Sequence, residues 1–497
     1  MPGRTDGGGP APPVGALTPG TGVRLTRPAQ SAFVIAAGAA KGAMPSACAG
    51  PPYRRRTHGP AGREGETGML DSYFKLSEHG TTVQREIVAG CTTFLTMAYI
   101  TFVNPAILSD TGMDFGAVFV ATCLAAAFGT LVMGLYANYP IALAPGMGLN
   151  AFFTYGVVLG MGHSWQVALG VVFWSGVLFV ILSVLPVREW IINSIPRTLK
   201  MAISAGIGLF LGIIALKNAG IVVDHPVTLV TLGDLSEATS LLAALGFIVI
   251  VALAHRQVPG AVIIGILLVT ALGIAFGVSE WKGLIAPPPD PSPTLLAMDI
   301  VGALELSLLA VVFTFLFVDL FDTAGTLVGV AHRAGLLDAE GKLPRLGKAL
   351  LADSTATVVG AGLGTSTTTS YIESAAGINA GGRTGLTAVT VGILFLLCLF
   401  FSPLAETVPA YATAPALLFV ACLMAHGLAE IDWQDATEYA PAVVTAIAMP
   451  LTFSIADGLG LGFICYALMK LTGGKIAECP PAVMVIAALF ALKFAIL

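Results

Sequence analysis

The sequence predicts an all-α polytopic membrane protein with about fourteen transmembrane segments, arranged as two inverted repeats of seven segments. Three observations support this fold class. First, 56% of the 497 residues are hydrophobic and only 11% are charged, whereas a soluble domain carries about 25% charged residues. Second, apolar runs follow each other closely from residue 85 onward. Third, two short, interrupted segments recur at matching positions in the two halves.

Charge and cysteine usage narrow the classes of function. The formal net charge is −5, and no basic face or aromatic–basic pattern that would bind nucleic acid occurs. The seven cysteines are scattered and show neither metal-ligand spacing nor a disulfide framework, so we interpret them as small core residues. The sequence contains no Walker loop, HExxH or GxSxG motif. It therefore predicts neither an enzyme nor a bound cofactor or metal.

Residues 1–68 differ from the rest of the chain because they are rich in Gly, Pro, Ala and Arg. Such a composition buries too little apolar surface to offset the entropy of ordering, so we expect a disordered N-terminal extension. Arg24 and Arg27 before the apolar stretch 33–40 also fit a signal or transit peptide. We favour a solvated tail, or an extension upstream of a start at Met69. The membrane domain is then 69–497.

The apolar runs define the transmembrane segments. Lipid offers no hydrogen bonds to a peptide backbone, so each run must be helical or buried in protein. The run 481–496 is a candidate fifteenth segment. The fourteen predicted segments are 85–106, 116–137, 141–160, 165–186, 199–216, 239–254, 259–279, 307–330, 346–363, 367–381, 384–402, 412–428, 437–455 and 456–471.

The charges of the connecting loops predict that both termini are cytoplasmic. If the N-terminus is inside, the connections after even-numbered segments should carry most of the Lys and Arg residues. Bases do follow segments 4, 6, 8, 10 and 14, and acids dominate most of the opposite loops. The loop after segment 12 is an exception, because it contains Glu430, Asp432, Asp435 and Glu438.

Segments 3 and 10 are short and interrupted. Both end in Gly-(Leu/Ile)-Asn-Ala, at Gly148–Ala151 and Gly377–Ala380. They lie seven segments apart, and an odd offset gives corresponding helices opposite orientations in the membrane. Short segments broken by Gly or Pro at matching positions in two halves indicate a binding site near the membrane midplane. Gly-rich helices that merely pack closely are the alternative explanation.

Two carboxylates lie near the middle of segment 8. Asp319 and Asp322 are three residues apart and so share one helical face. A charge at this depth costs from about 2.5 kcal/mol upward, which makes an ionisable residue there a functional candidate. Because burial and mutual repulsion disfavour two ionised carboxylates, one can carry a proton, or the pair can hold a cation. Alternatively, Asp322 caps the broken backbone of a neighbouring segment.

Segment 10 contains a third candidate, Glu373, after the hydroxyl-rich run Thr365–Ser370. We expect these hydroxyls to line a polar cavity. A carboxylate there could accept hydrogen bonds from a flat ligand with N–H groups. The backbone N–H groups of the broken helices could donate to the carbonyl oxygen or ring nitrogens of the same ligand. Segment 3 offers the Gly148 backbone, the Asn150 amide and the Phe152 ring, although Phe152 can equally be a core contact. We interpret Asp353 as a polar contact between helices.

Five sequence motifs resemble those of a known protein family. Together they are similar to the adenine–guanine–hypoxanthine permeases, the AzgA-like branch of the nucleobase–ascorbate transporter superfamily. The resemblance extends from Met69 to Leu497 and leaves out residues 1–68. The motifs are REIVAGCTTFLTMAYITFVNP (Arg85–Pro105), PIALAPGMGLNAFF (Pro140–Phe153), FVDLFDTAGTL (Phe317–Leu327), TSTTTSYIESAAGI (Thr365–Ile378) and MPLTFSIADG (Met449–Gly458).

The resemblance implies a fold of two domains. A core domain would comprise roughly 85–186 and 307–402, and a gate domain roughly 199–279 and 412–497. Segments 3 and 10 would each be a short strand followed by a half-helix. Family members import purine bases with protons by an elevator-like movement of the core, often as dimers. The resemblance therefore implies a proton-coupled importer of hypoxanthine, guanine or adenine in the cell membrane, and a homodimer.

The resemblance also implies roles for single residues. Asp319 and Glu373 match the positions that contact the purine, and Asn150 matches the asparagine of segment 3. Asp322 matches the second aspartate of segment 8, and we assign proton coupling to Asp322 and Asp319. Three alternatives are a carrier of the same fold for uracil or xanthine, a carrier for another small solute, and a passive channel. An anionic solute is disfavoured because unscreened carboxylates repel it.

Overall fold

Helices and short strands occupy all fourteen predicted segments in the computed structural model, which describes residues 68–185, 195–337 and 343–496. The extension predicted at 1–68 lies outside the described residues, except for Gly68. The first half forms α1 (Met69–Phe74), α2 (Val83–Met97), α3 (Ile100–Ser109), α4 (Phe115–Val132), β1 (Leu143–Pro145), α5 (Met147–Ala151), α6 (Trp165–Val184), α7 (Arg197–Asn218), β2 (Val222–His225), β3 (Leu229–Leu232), α8 (Ala238–His255) and α9 (Ala261–Ala275).

Two stretches of π-helix, Met133–Ala137 and Phe152–Val158, extend α4 and α5 in the first half. The second half continues the same helical pattern. The elements of the second half are α10 (Leu306–Ala334), α11 (Leu346–Leu363), β4 (Thr368–Ser370), α12 (Ser374–Asn379), α13 (Gly385–Cys398), α14 (Ser402–Thr407), α15 (Ala410–Ala425), α16 (Ala436–Thr452), α17 (Ile455–Thr472) and α18 (Pro481–Ile496).

Nine helices in the described part of the chain are long and apolar enough to cross a membrane. They fall in predicted segments 1, 2, 4, 5, 6, 8, 11, 12 and 14. Shorter apolar helices occupy segments 3 and 7, and α18 forms where the sequence suggested a fifteenth segment. The fold is therefore a polytopic helical membrane fold, as predicted.

Side-chain caps explain where several of these helices begin. The hydroxyl of Thr82 accepts a hydrogen bond from the Arg85 amide at the start of α2. Asp114 and Ser164 cap α4 and α6 in the same way. Such caps satisfy amides that have no partner inside the helix. The starts of these segments are therefore encoded locally in the sequence.

A buried carboxylate joins the start of segment 1 to the start of segment 11. Glu86 is fully buried, and its Oε1 accepts a hydrogen bond from the Arg383 amide at 2.9 Å. Its Oε2 accepts from the Thr384 amide at 3.2 Å and from the Thr387 hydroxyl at 2.6 Å. The negative charge thus lies at the N-terminus of α13, where the helix dipole favours it. Glu86 fixes α2 against α13.

Three of the four acids in the loop after segment 12 form ion pairs with bases from other parts of the chain. Lys470, only 1% exposed, is the most buried of these bases. The partners come from other predicted cytoplasmic connections or from the end of segment 14, so the pairing offsets most of the acidic charge of this loop. The pairs are Glu430–Arg197, Asp435–Lys475 at 2.5 Å and Glu438–Lys470 at 2.5 Å.

The strands form two separate pairs. β2 and β3 make a hairpin between α7 and α8, which the sequence analysis did not predict. Leu229 adopts a positive φ of 68° in this hairpin. Leucine rarely takes this conformation, and the hairpin sequence does not suggest it. β1 and β4 come from segments 3 and 10 and pair with each other.

Candidate functional site

The candidate site is built where the two broken segments meet. β1 and β4 pair antiparallel, and the Tyr371 hydroxyl donates to the Pro145 carbonyl oxygen at 2.5 Å across 226 residues of sequence. This pairing satisfies the backbone groups of two extended stretches that are shielded from water. It brings both halves of the chain into one site. The paired residues are Leu143–Ser370, Ala144–Thr369 and Pro145–Thr368.

Segment 3 contributes a glycine that packs closely against α7 and a buried side-chain amide. A Cβ atom on Gly148 would lie 2.2 Å from Ile207 Cγ2 of α7, so only glycine fits there without movement. Asn150 is fully buried, and its Oδ1 accepts a hydrogen bond from the Ser366 hydroxyl. Its Nδ2 has no hydrogen-bond partner among the described residues. Asn150 therefore links segment 3 to segment 10 and still has a donor to offer.

Phe152 is placed differently from the other candidates. Its ring is fully buried and packs against Phe315 of α10, with the ring centroids 5.0 Å apart. Packing of this kind is typical of a core aromatic residue. The geometry therefore favours the structural explanation that the sequence analysis also considered for Phe152.

Glu373 lies immediately before α12 and is only partly buried. The Tyr99 hydroxyl, at the junction of α2 and α3, donates to Glu373 Oε1 at 2.9 Å. The Thr96 hydroxyl also reaches the Glu373 carbonyl oxygen at 3.4 Å. Segment 1 thus supports the carboxylate from one side, and the other side stays accessible.

Asp319 and Asp322 differ in their exposure. Asp319 is fully buried, and its Oδ2 accepts one hydrogen bond, from the Thr357 hydroxyl at 3.1 Å. Its Oδ1 has no partner among the described residues. Asp322 is exposed. We expected Asp319 to contact the ligand, but Asp322 is the more accessible of the two carboxylates.

Asp353 of α11 is a further buried carboxylate beside these groups. Its Oδ2 accepts from the Thr323 hydroxyl at 2.8 Å, and its Oδ1 accepts from the Ser370 hydroxyl at 3.0 Å. These bonds join α11 to α10 and to β4. The interpretation of Asp353 as a polar contact between helices is confirmed.

The hydroxyl-rich run of segment 10 does not line an open cavity, as the sequence analysis expected. All six residues of Thr365–Ser370 are at most 3% exposed. Four of the six hydroxyls have partners inside the protein; Asn104 Nδ2, for example, donates to Thr365 Oγ1 at 2.9 Å. These four serve other buried polar side chains, since a buried polar group without a partner is costly. The hydroxyls of Thr367 and Thr368 have no partner among the described residues.

The site contains four acidic side chains, those of Asp319, Asp322, Asp353 and Glu373. None of the ion pairs that the described residues form includes any of these carboxylates. No group of three His, Cys, Asp or Glu side chains in the described ranges is arranged to hold a metal ion. The arrangement suits protons and neutral ligands that offer N–H donors.

Two crevices lie away from these carboxylates. A polar crevice of about 650 Å³ lies between the α3–α4 turn, with Asp110 and Asp114, and the Lys282–Glu406 pair. An apolar groove of about 230 Å³ runs between α17 and α18. Neither is lined by the residues of the broken segments, so neither changes the choice of site.

Three contacts of the site were missed by sequence reasoning. Tyr99, Asn104 and Glu86 hold segment 10 through Glu373, Thr365 and the start of α13. All three lie in the motif Arg85–Pro105 that carried part of the family resemblance, which was the available signal. Their individual roles had no separate signal, because Glu86 lies at the start of its segment and tyrosine and asparagine in a helix have many structural roles.

Comparison with known proteins supports a transport function. A model described as a permease family matches residues 84–461. The chain is 51% identical over 426 residues to adenine permease AdeP of Escherichia coli (strain K12), which covers 86% of this chain and 96% of AdeP. It is 49% identical over 437 residues to guanine/hypoxanthine permease PbuG of Bacillus subtilis (strain 168), covering 86% of this chain and 99% of PbuG.

A solved structure shows a similar fold. The transmembrane domain of a cyanobacterium bicarbonate transporter, BicA, superposes with a TM-score of 0.55 at 15% sequence identity. The match covers 76% of this chain and 97% of that domain. At this identity the likeness concerns the fold alone.

Proposed function

The chain belongs to the permease family, and from this premise we propose that it imports purine nucleobases across the cell membrane. The relatives named as adenine and guanine/hypoxanthine permeases support this substrate class. The observation that carries the proposal is that two carboxylates beside the broken segments remain accessible, Asp322 on segment 8 and Glu373 on segment 10. A purine base offers N–H donors along its edge, and carboxylate oxygens accept such bonds strongly.

In this proposal, the base lies between the two broken segments. Glu373 and Asp322 accept from the N–H groups of the base, and the unpartnered Asn150 Nδ2 donates to a ring nitrogen or carbonyl oxygen once the side chain adjusts. The Gly148 backbone marks the edge of the site at α7. Phe152 supports α5 against α10 and shapes the site through this packing.

Proton coupling is assigned to segment 8. Asp319 is buried with one unpartnered oxygen, and a carboxyl group in that position is cheaper to desolvate when it carries a proton. Asp322 is exposed on the same helix and can exchange protons with the ligand side. A proton shared by these two groups would couple the charge of segment 8 to the binding of a neutral base.

The proposed architecture has fourteen spans in two inverted repeats, with both termini cytoplasmic. Support comes from two contacts that correspond under such a symmetry. Glu86 at the start of segment 1 bonds the start of segment 11. Asp299, just before segment 8, donates from its amide to the Gln166 carbonyl oxygen at the start of segment 4, at 2.8 Å.

We further propose that the core and gate move as separate bodies in an elevator-like cycle, and that the protein acts as a homodimer. The core would comprise roughly 85–186 and 307–402, and the gate roughly 199–279 and 412–497. The contact between Gly148 of the core and Ile207 of the gate lies at the boundary that such a movement would cross.

The test is uptake of radiolabelled hypoxanthine into cells that express the protein and lack their own purine carriers. Competition by unlabelled adenine, guanine, xanthine and uracil ranks the substrates, and a pH series with and without sodium identifies the coupling ion. Saturable uptake that is inhibited by purines and increases in acid is the expected result. Uptake that grows linearly with concentration would indicate a channel, and inhibition by uracil or xanthine alone would indicate another substrate.

A further inference from the structure

Tyr99 makes a hydrogen bond that has consequences for ligand recognition. Its hydroxyl donates to Glu373 Oε1 at 2.9 Å, and Tyr99 itself is only 1% exposed. A hydroxyl buried to this extent has a fixed position, so it also fixes the carboxylate oxygen that accepts from it. Glu373 is partly exposed, and its second oxygen, Oε2, is therefore the one that remains for a ligand.

The helix that precedes Tyr99 is held firmly against the half-helix that follows Glu373. A Cβ atom on Gly377 of α12 would lie 2.1 Å from Thr93 Oγ1 and 2.5 Å from the Ala89 carbonyl oxygen of α2. The two helices are thus in direct backbone contact and cannot approach further. Tyr99 lies two residues beyond the end of α2, so its position relative to α12 is determined by this packing.

The far end of the half-helix is fixed as well. The Arg383 guanidinium donates to the carbonyl oxygen of Ile378, in the last turn of α12, at 2.7 Å. The Arg383 amide in turn donates to Glu86 of α2 at 2.9 Å. Segment 1 therefore supports segment 10 at both ends, through Glu86 at one end and Tyr99 at the other.

We infer that Tyr99 is a positioning residue that orients the Glu373 carboxylate and presents Oε2 as the acceptor for an edge N–H group of a flat heterocyclic base. This inference rests on the proposed function, and it adds a residue to that site. Without the hydroxyl, the partly exposed carboxylate is free to rotate, and the ligand must order it on binding. Such ordering weakens binding and leaves the later transport steps largely unaffected.

A purely structural role for the Tyr99 hydroxyl would give a different result, and Tyr371 offers the matched control. Its hydroxyl is also buried, but it bonds the Pro145 carbonyl oxygen between β1 and β4. Tyr99→Phe and Tyr371→Phe thus each remove one buried tyrosine hydroxyl and nothing else. Only the first change removes a bond to the ligand-binding carboxylate.

The experiment measures KM and maximal rate of hypoxanthine uptake, normalised to folded protein, with melting temperatures of the purified variants. We expect KM of Tyr99→Phe to rise about tenfold, equivalent to about 1.4 kcal/mol, while its maximal rate stays within about twofold. We expect Tyr371→Phe to lower the melting temperature with a much smaller change in KM. If Tyr99→Phe does not fold, Tyr99→Met removes the same hydroxyl, and the same expectation applies.

Two results would overturn the inference alone. One is saturable uptake by the wild type with an unchanged KM in the Tyr99 variant. The other is an equal rise in KM for the Tyr99 and Tyr371 variants, which would show a general packing effect. Absence of saturable purine uptake by the wild type would instead overturn the proposed function, and this inference with it.

Discussion

Asp319 and Asp322 lie three residues apart on α10, yet Asp319 is fully buried and Asp322 is exposed. On an α-helix, three residues correspond to a rotation of roughly 60°. That rotation is enough to turn Asp319 toward Thr357 of α11 and to leave Asp322 accessible. Two carboxylates that look equivalent in the sequence therefore occupy different environments, and they should respond differently to substitution.

We predict that Asp319→Asn abolishes net uptake but retains exchange of labelled for unlabelled base across the membrane. Net uptake needs a group that can carry a proton, whereas exchange at equal pH does not. Asp322→Asn and Glu373→Gln should abolish both, because they remove ligand acceptors. Uptake and counterflow, with membrane expression as the control, distinguish these cases. Loss of exchange in Asp319→Asn would show that Asp319 contacts the ligand, as the sequence alone suggested.

Replacing Glu86 with Gln should destabilise the protein by about 2 kcal/mol, because bonds from two amides and a hydroxyl to a buried charge are weakened or lost. The measurement is the melting temperature of the purified protein in detergent. Glu78→Gln is the control, since Glu78 makes only an exposed pair with Lys75, which contributes little. Equal melting temperatures for both variants would contradict a capping role for Glu86.

Gly148→Ala should reduce uptake and stability, because the new Cβ would lie 2.2 Å from Ile207 Cγ2. Overpacking of this kind costs about 1–3 kcal/mol. Ile207→Leu moves the branch point away from Cβ and should restore the Gly148→Ala variant. Ile207→Val keeps a methyl group at that position and should not. Uptake and melting temperature of the two double variants test the contact, and equal behaviour of both would contradict it.

The Asp435–Lys475 pair should make stability depend on pH in acid. The ammonium group of Lys475 at 2.5 Å and hydrogen bonds from Thr437 hold the pKa of Asp435 below its usual value. Because the folded-state pKa is lowered, the pair stabilises the fold above the unfolded pKa of about 4, and this contribution is lost as the pH falls further.

The corresponding measurement compares melting temperatures of the wild type and Asp435→Asn between pH 3 and 8. The difference should be constant above pH 5 and should shrink below about pH 4. It should also decrease in high salt, because both side chains reach solvent. A difference that persists unchanged at low pH would mean that Asp435 acts through its cap on α16 and not through its charge.

Much of the fold could be predicted because the membrane imposes a simple pattern on the sequence. Hydropathy located the nine helices of the described residues that are long and apolar enough to cross a membrane. Pro145, Gly146 and Gly148 marked a break where segment 10 also breaks. The family match confirms the resemblance that the motifs carried. The β2–β3 hairpin was missed because its short strands, such as Val222–His225, have no clear alternation of polar and apolar residues.

Less of the site could be predicted, since the sequence does not show how helices are rotated against each other. The cost of charge in lipid selected Asp319, Asp322 and Glu373 as candidates, but which of them faces open space depends on tertiary packing. The hydroxyls of Thr365–Ser370 were expected to face a cavity, and they are buried instead. A polar residue at membrane depth can serve either a ligand or a buried partner, and only the folded arrangement separates the two.

The pairing of β1 with β4 also sets an order of events during synthesis. The strand of segment 3 waits for a partner that is made more than 220 residues later. At 5–20 residues per second, that delay is roughly 10–45 s. During this time the backbone groups of Leu143–Pro145 have no strand to bond, although lipid cannot satisfy them. A nascent chain that stops after segment 7 therefore lacks β4, the partner strand of its third segment. The site can form only after segment 10 has been synthesised.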